Sequence, residues 1–173
     1  DSGHATYLYP KQGGGRWDNP QLYAAWYLAT SAEGAVGETF GNQAEWTTEM
    51  FAHPSGLRRA LATFSVPDDA AWFDFDDAKN LMHVAMRPTQ VVTRNKPYTQ
   101  ARAAELFGEQ DGDGMRRWSG VRWWSFHRPS WSNVMAWAVK GEAGPLTLEY
   151  VEELTLASPS VLDAARALSR PLP

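Results

Sequence analysis

The apolar residues of this chain come in short segments, and this division constrains the fold more than any other feature of the sequence. The 14 glycines and 11 prolines interrupt these segments along the whole chain. No apolar run approaches the roughly 20 residues that a membrane-spanning helix requires. Short segments of this kind are typical of strands and short helices. We therefore predict an α+β fold in a single compact domain, residues 1–173.

Apolar and aromatic segments with strand-like patterns predict seven short strands. They lie in ATYLYP (5–10), LYAAWYLA (22–29), GLRRALATFSV (56–66), AWFDFD (71–76), VRWWSFH (121–127), NVMAWAV (133–139) and LTLEYVEELTL (146–156). A helix is predicted over 31–46, capped by Thr30 or Ser31, and a second over 99–108, closed by Gly108. A third short helix is predicted in the tail, VLDAARALS, and MHVAMRP (82–88) fits neither pattern.

Charge and the absence of cysteine exclude several classes of protein. The net charge is −4 and basic residues cluster only as the pairs Arg58–Arg59 and Arg116–Arg117, so direct nucleic-acid binding is not expected. A chain without cysteine forms no disulfides and suits a reducing compartment. The N-terminal DSGHATYLYP lacks the basic and apolar parts of a signal peptide. We expect a soluble, cytoplasmic protein that does not associate with membranes.

The sequence gives little support for a metal site. Asp74, Asp76 and Asp77 lack the glycine-containing loop and distal glutamate of a calcium site, and the acidic loop 111–114 lacks further ligands. The histidines are His4, His53, His83 and His127, and no two of them stand four residues apart. We therefore expect no metal cofactor and interpret the acidic residues as solvated surface.

The nine tryptophans allow two interpretations. Large rings commonly fill a core and its edges. Some of them would instead line a pocket for a flat ligand, because tryptophan and tyrosine combine a stacking face with a polar group. Composition does not separate the two.

The segment GGGRWDNPQLYAAWYLATSAEGAVGE, residues 13–38, contains the side chains best suited to chemistry. Arg16 follows a glycine loop; arginine binds phosphate in bidentate fashion, and backbone N–H groups beside the glycines add to such a contact. The ring of Tyr27 can stack on nicotinamide. The carboxylate of Glu38 can hold a ribose hydroxyl and stabilise positive charge at the anomeric carbon. Taken singly, these residues also fit a surface charge, a core aromatic and a solvated helix residue, so their spacing alone leaves the function open.

In these and later residues the chain resembles the RES domain, a bacterial toxin family named for its arginine, glutamate and serine. The matching segments, in order, are GGGRWDNP (13–20), WYLAT with SAEGAVGE (26–38), NKPYTQARAAELF (95–107) and WSGVRWWSFHRPSWSNVMAWAV (118–139). The resemblance therefore runs through most of residues 13–139, and a strand and a short helix follow in 146–173.

The resemblance implies a fold similar to the diphtheria-toxin type of ADP-ribosyltransferase and cleavage of the nicotinamide–ribose bond of NAD⁺, the substrate. It implies that Arg16 binds the phosphate or nearby ribose, that Tyr27 packs on the nicotinamide, and that Glu38 supports the oxocarbenium-like transition state. Ser125 would hydrogen-bond the NAD⁺ from the opposite strand. Arg122 would be structural or face the NAD⁺, and His127 lies on the same side of an alternating strand as Ser125.

Two positions depart from the family pattern. Many members carry a further arginine on the first strand, where this chain has Tyr7, Leu8 and Tyr9. The first-strand part of the site is therefore either absent or replaced by an aromatic residue. Trp124 precedes the serine where the family commonly has a small residue or proline, which would reshape the pocket.

Three hypotheses about function stay open. The first is an NAD⁺ glycohydrolase or phosphorylase that depletes NAD⁺, and the second is an ADP-ribosyltransferase acting on a protein. The third is an aromatic-rich binding module without catalysis. The resemblance also implies a partner, an antitoxin or immunity protein of Xre-like type that blocks the active cleft, while a secreted effector with the same domain is an alternative setting.

Overall fold

Two β-sheets and five α-helices make up the part of the chain that the computed structural model describes, residues 12–53, 56–139 and 146–173. The strands are β1 (Ala24–Ala29), β2 (Ala60–Ser65), β3 (Trp72–Asp74), β4 (Gly120–Trp124), β5 (Ser132–Ala138) and β6 (Thr147–Glu153). The helices are α1 (Ala32–Phe40), α2 (Ala78–His83), α3 (Pro88–Val91), α4 (Lys96–Phe107) and α5 (Pro159–Ala167), with a 3-10 helix at Thr48–Phe51. The predicted α+β fold is confirmed.

The larger sheet has the strand order β1-β5-β4-β3, and the smaller one pairs β2 with β6. Only the β3–β4 pair of the larger sheet is parallel. The register sets Asn133, near the start of β5, opposite Ala29 on one side and Trp123 on the other. The carboxyl ends of β1 and β4 therefore meet at one end of the sheet, so the segments that follow these strands start close together.

The described residues form two apolar cores. One face of the larger sheet packs against α2–α4, and Trp17 stacks on Phe75 there with ring centroids 4.6 Å apart. The second core joins α1 to α5 and the 3-10 helix. Its largest fully buried members are Phe40, Trp46, Phe51, Val36 and Val161. Five tryptophans are almost fully buried, namely Trp17, Trp46, Trp123, Trp131 and Trp137, so the core interpretation holds for them.

Two elements end earlier than predicted. Helix α1 begins after the predicted cap Ser31, whose side chain accepts from the N–H of Gly34, but it stops at Phe40 instead of residue 46. Strand β4 stops at Trp124 instead of residue 127 because the chain turns at Ser125, whose N–H donates to the carbonyl of Trp131. The predicted strand at 5–10 lies outside the described residues.

The remaining predicted elements agree with the structure in kind. Strands were predicted at the positions of β2, β3, β5 and β6, and helix α4 ends at the predicted Gly108. Strand β1 is also present but is only partly buried, since Ala25 is its one buried residue and Tyr27 is exposed. The ambiguous segment 82–88 contains the end of α2, after which Ala85 adopts a positive φ of 51°. None of the helices in the described part is both long enough and apolar enough to cross a membrane.

Candidate active site

The fold brings Arg16, Tyr27, Glu38 and Ser125 to the same end of the larger sheet. Arg16 lies in the loop before β1, Tyr27 in β1, Glu38 on α1 and Ser125 directly after β4. Ser125 is hydrogen-bonded to Glu38. Burial lowers the pKa of Arg16, and the nearby Tyr27 and Glu38 oppose part of that shift. The four residues named from the sequence thus form one cluster.

Ser125 holds the carboxylate of Glu38. Its side chain is fully buried, and its hydroxyl donates its only hydrogen to Oε1 of Glu38. The hydroxyl oxygen of Ser125 accepts from the backbone N–H groups of His127 at 3.0 Å and Arg128 at 3.1 Å. Among the described residues nothing hydrogen-bonds to Oε2 of Glu38, which is half-buried. One carboxylate oxygen is therefore fixed by the protein, and the other is available to a ligand.

Helix α1 is placed by its close contact with Trp131. A Cβ at Gly37 would lie 2.2 Å from Cζ3 of Trp131, and one at Gly34 would lie 3.6 Å from Cγ of the same ring. The helix can approach the indole only because Gly37 has no side chain. Glu38 is the next residue, so this contact sets the position of its carboxylate.

Asp18 fixes both the glycine loop and the hydroxyl of Tyr27. Its buried carboxylate accepts from the N–H groups of Gly13 at 2.8 Å and Gly15 at 2.7 Å through Oδ2. Oδ1 accepts from the Tyr27 hydroxyl at 2.8 Å, and that hydroxyl accepts from the N–H of Trp17 at 2.9 Å. A Cβ at Gly15 would lie 2.3 Å from the Tyr27 oxygen, so only glycine fits there.

The Tyr27 side chain has a buried end and an open side. Burial of its hydroxyl raises the pKa of Tyr27, and the neighbouring Asp18 carboxylate adds to that rise. The residue as a whole is nevertheless 44% exposed, so the exposed part is the ring. The ring contacts Trp123 edge-on, with centroids 6.2 Å apart. An aromatic face is thus presented to a ligand while the polar end is anchored.

The expected role of the glycine loop does not hold for two of its N–H groups. The N–H groups beside the glycines were expected to contact phosphate, but those of Gly13 and Gly15 already bind Asp18. Two other features could have pointed to this role for Asp18. An aspartate readily accepts from N–H groups a few residues away in a loop, and a glycine-rich loop has many such groups.

Arg16 is held by backbone oxygens and keeps part of its guanidinium free. Nη1 donates to the carbonyls of Val91 at 2.8 Å and Thr93 at 2.5 Å, just after α3. Nη2 and Nε have no hydrogen-bond partner within the described ranges. A guanidinium fixed on one side and open on the other is suited to binding an anionic group.

Helix α4 is hydrogen-bonded to the glycine loop that carries Arg16. Thr99, fully buried, donates to the carbonyl of Arg16 at 2.6 Å. Gln100 donates to the carbonyls of Gly15 at 2.9 Å and Gly13 at 3.2 Å. This gives a structural reason for the matching segment at 95–107, which the sequence did not connect to the site.

Arg122 makes contacts of the structural kind, and His127 does not lie on a strand beside Ser125. Arg122 forms an ion pair with Asp74 at 3.7 Å and donates to the hydroxyl of Ser132 at 3.2 Å. His127 follows a turn and is not on a strand; its N–H binds Ser125 while its ring packs against Gly41. His127 therefore supports Ser125 through its backbone.

Two cavities lie near the cluster. The larger, about 750 Å³, separates the two sheets and includes Tyr27 but not Arg16, Glu38 or Ser125; its lining in the described part contains no carboxylate or imidazole. The smaller, about 370 Å³, is lined by Phe75, Trp124 and Pro129. Trp124 and Pro129 flank the turn at Ser125, so the smaller cavity borders the cluster. We assign the chemistry to the cluster because the polar groups converge there.

Trp124 is thus one wall of the smaller cavity, and its effect on the shape of the substrate pocket stays a prediction. The first-strand positions Tyr7 and Tyr9 lie outside the described residues. Within 12–53, 56–139 and 146–173 there is no group of three histidine, aspartate or glutamate side chains arranged to hold a metal ion.

Comparisons with known proteins identify the family of the chain and a solved structure with a similar fold. The family model described as the RES domain matches residues 2–157. No curated protein sequence matches the chain. A solved structure, the MbcT–MbcA toxin–antitoxin complex of M. tuberculosis, contains a similar fold: the TM-score is 0.61 at 21% identity, over 89% of this chain and 82% of that one.

Proposed function

The chain belongs to the RES domain family, and on this basis we propose that it is a toxin that cleaves the nicotinamide–ribose bond of NAD⁺. The observation that carries the proposal is the Glu38 carboxylate, held by the buried Ser125 beside Arg16 and the exposed ring of Tyr27. A fixed carboxylate next to an anion-binding arginine and an open aromatic ring suits a substrate that has phosphates, a flat base and a bond that breaks with positive charge.

Each residue has a separate role in the proposed reaction. The free N–H groups of Arg16 bind the diphosphate, and the ring of Tyr27 packs on the nicotinamide. The bond from ribose C1′ to the nicotinamide nitrogen breaks, and its electron pair leaves with neutral nicotinamide. Oε2 of Glu38 holds a ribose hydroxyl and stabilises the positive charge that develops at C1′. The hydroxyl of Ser125 gives its hydrogen to Glu38, so in this proposal Ser125 keeps Glu38 in place instead of donating to NAD⁺, as the resemblance implied.

The acceptor then completes the reaction. Water adds to C1′ and loses a proton, which gives ADP-ribose, or phosphate adds in its place. Both outcomes deplete NAD⁺. Transfer to a protein side chain shares the same first step, so the acceptor must be identified by experiment.

We also propose that an antitoxin neutralises the protein by covering this cluster. The solved structure that shares its fold is part of a toxin–antitoxin complex. The site lies at the surface, with the Tyr27 ring 44% exposed, so a partner can reach it. Such a toxin would act on cytoplasmic NAD⁺.

The decisive experiment measures nicotinamide release from NAD⁺ by chromatography. We expect Glu38→Gln to lower turnover by roughly 10²–10³-fold, because the amide keeps the shape but loses the charge that stabilises the transition state. Glu33→Gln, in the first turn of the same helix, is the matched control and should retain activity.

Release should occur in buffer with or without phosphate, and labelled NAD⁺ reveals any transfer to added proteins. No release under any of these conditions would contradict the proposal. Equal activity of Glu38→Gln and wild type would remove Glu38 from the mechanism.

A further inference from the structure

Asn133 is a nearly buried residue whose side-chain amide has no hydrogen-bond partner among the described residues. It is 4% exposed, near the start of β5. Within the described part of the chain, no group donates to or accepts from its side chain. Buried amides are normally hydrogen-bonded within the protein. The amide atoms of Asn133 have no such bond and are not among the fully enclosed unsatisfied atoms of the described part, so a ligand can reach them.

The register places Asn133 beside the candidate active site. Asn133 pairs with Ala29 in β1 and with Trp123 in β4. Side chains alternate along β5, so that of Asn133 lies on the same face as Met135. Met135 is the register partner of Tyr27, so this face also carries Tyr27. On this face Tyr27 and Trp123 already contact each other, and Ser125 follows Trp123 by two residues. Asn133 therefore lies on the face of the sheet that carries Tyr27 and Trp123.

The residues next to Asn133 offer no hydrogen-bond partner to its side-chain amide, so a ligand can take that role. Ala29 has only a methyl group, and the indole N–H of Trp123, a residue 7% exposed, makes no hydrogen bond to Asn133 in the described part of the chain. The hydroxyl of Ser125 gives its hydrogen to Glu38, and the hydroxyl of Tyr27 gives its hydrogen to Asp18. The two nearest polar side chains of the cluster thus commit their hydrogens elsewhere.

A neutral amide is a good partner for another amide. The asparagine side chain offers two N–H donors and one carbonyl acceptor, so it can both donate to and accept from a primary carboxamide. In NAD⁺ the carboxamide of nicotinamide is the group with that pattern. The charged parts of the substrate have their own partners, Arg16 and Glu38.

We propose that Asn133 binds the nicotinamide carboxamide and thereby selects NAD⁺ over dinucleotides with a different pyridine substituent. This rests on the proposed function, because it assigns a residue to the leaving group of that reaction. The pair of hydrogen bonds orients the pyridine ring next to the ring of Tyr27, with the bond to C1′ toward Glu38.

The test compares NAD⁺ with 3-acetylpyridine adenine dinucleotide, in which a methyl group replaces the amide nitrogen. Wild-type protein should prefer NAD⁺, and Asn133→Leu should lower kcat/KM for NAD⁺ by roughly 10–200-fold while affecting the acetyl analogue much less. The preference between the two substrates therefore collapses. Asn42→Leu, at an exposed position, is the matched control and should keep the preference.

A merely structural role would lower both rates equally, and that result overturns the inference while leaving the proposed function intact. Absence of nicotinamide release by wild-type protein would instead contradict the proposed function. A second measurement needs no variant: saturation-transfer NMR with free nicotinamide and free 3-acetylpyridine. Tighter binding of nicotinamide to wild-type protein supports the inference, and equal or absent binding contradicts it.

Discussion

At the scale of single residues, the site depends on polar groups that satisfy each other before any ligand arrives. Ser125 bonds Glu38 and two backbone N–H groups, and Asp18 bonds two backbone N–H groups and Tyr27. A buried side chain with three partners has little freedom to turn toward a ligand. We therefore regard Ser125 and Asp18 as positioning residues, and Glu38 and Arg16 as the groups that contact the substrate.

Replacing Ser125 with alanine tests this division. The change leaves Oε1 of Glu38 and the N–H groups of His127 and Arg128 without their partner, so we expect kcat to fall by roughly 10–100-fold and the free energy of unfolding to fall by about 1–3 kcal/mol. Single-turnover nicotinamide release and urea unfolding measure the two effects. Ser132→Ala, which removes only the contact from Arg122, is the control. Loss of stability with unchanged kcat would show that Ser125 does not position Glu38.

At the scale of elements, helix α1 depends on a glycine that lets it approach Trp131. We expect Gly37→Ala to force the helix away from the indole and to lower the free energy of unfolding by about 1–3 kcal/mol. Because Glu38 moves with the helix, NAD⁺ cleavage should decrease as well. Thermal unfolding and nicotinamide release measure both.

Gly112→Ala is the control for this prediction, because a Cβ at Gly112 meets no atom within 4 Å. It should change neither quantity by much. If Gly37→Ala were as stable and active as wild type, the close contact between Gly37 and the Trp131 ring would not limit the position of the helix.

The elements also show which features a sequence pattern can predict. The alternation in 146–156 and the glycine after 107 are local signals, and β6 and α4 agree with them. The early end of β4 is not local, because it depends on the N–H of Ser125 meeting the carbonyl of Trp131. A pattern of apolar residues continues through 121–127 and gives no sign of that turn.

Prediction of the site residues has the same limit. Arg16, Tyr27 and Glu38 were named from their chemistry and from a family resemblance, Ser125 was named from the resemblance alone, and the structure places the four together. Asp18 and Asn133 were not named, since in a sequence an aspartate in a loop and an asparagine after a turn look like solvent-facing residues. Their burial is visible only once β1, β5 and the glycine loop are packed.

At the scale of the whole molecule, the site is supported by an element outside the matched family region. Helix α5 lies beyond residue 157, yet Val161 is fully buried in the core that also holds Val36 and Phe40 of α1. The helix that carries Glu38 therefore depends on the C-terminal part of the chain for its apolar partner.

Truncating this contact should affect the whole fold. We expect Val161→Ala to lower the free energy of unfolding by about 1–3 kcal/mol, because it leaves a cavity between α5 and α1. Leu162→Ala on the same helix, where the side chain is 39% exposed, should have a smaller effect. Calorimetry and the thermal inactivation of NAD⁺ cleavage should shift together. Equal effects of the two variants would show that α5 does not stabilise the core through Val161.

The carboxylate of Asp18 has one more consequence. By binding the amides of Gly13 and Gly15 it acts as a built-in anion, so the loop has its final shape in the empty protein. The conformational entropy of ordering that loop is lost during folding and not when NAD⁺ arrives. In the proposed function, NAD⁺ binds to a loop that is already ordered. The free energy of its contacts then contributes to affinity and orientation and is not used to order the loop.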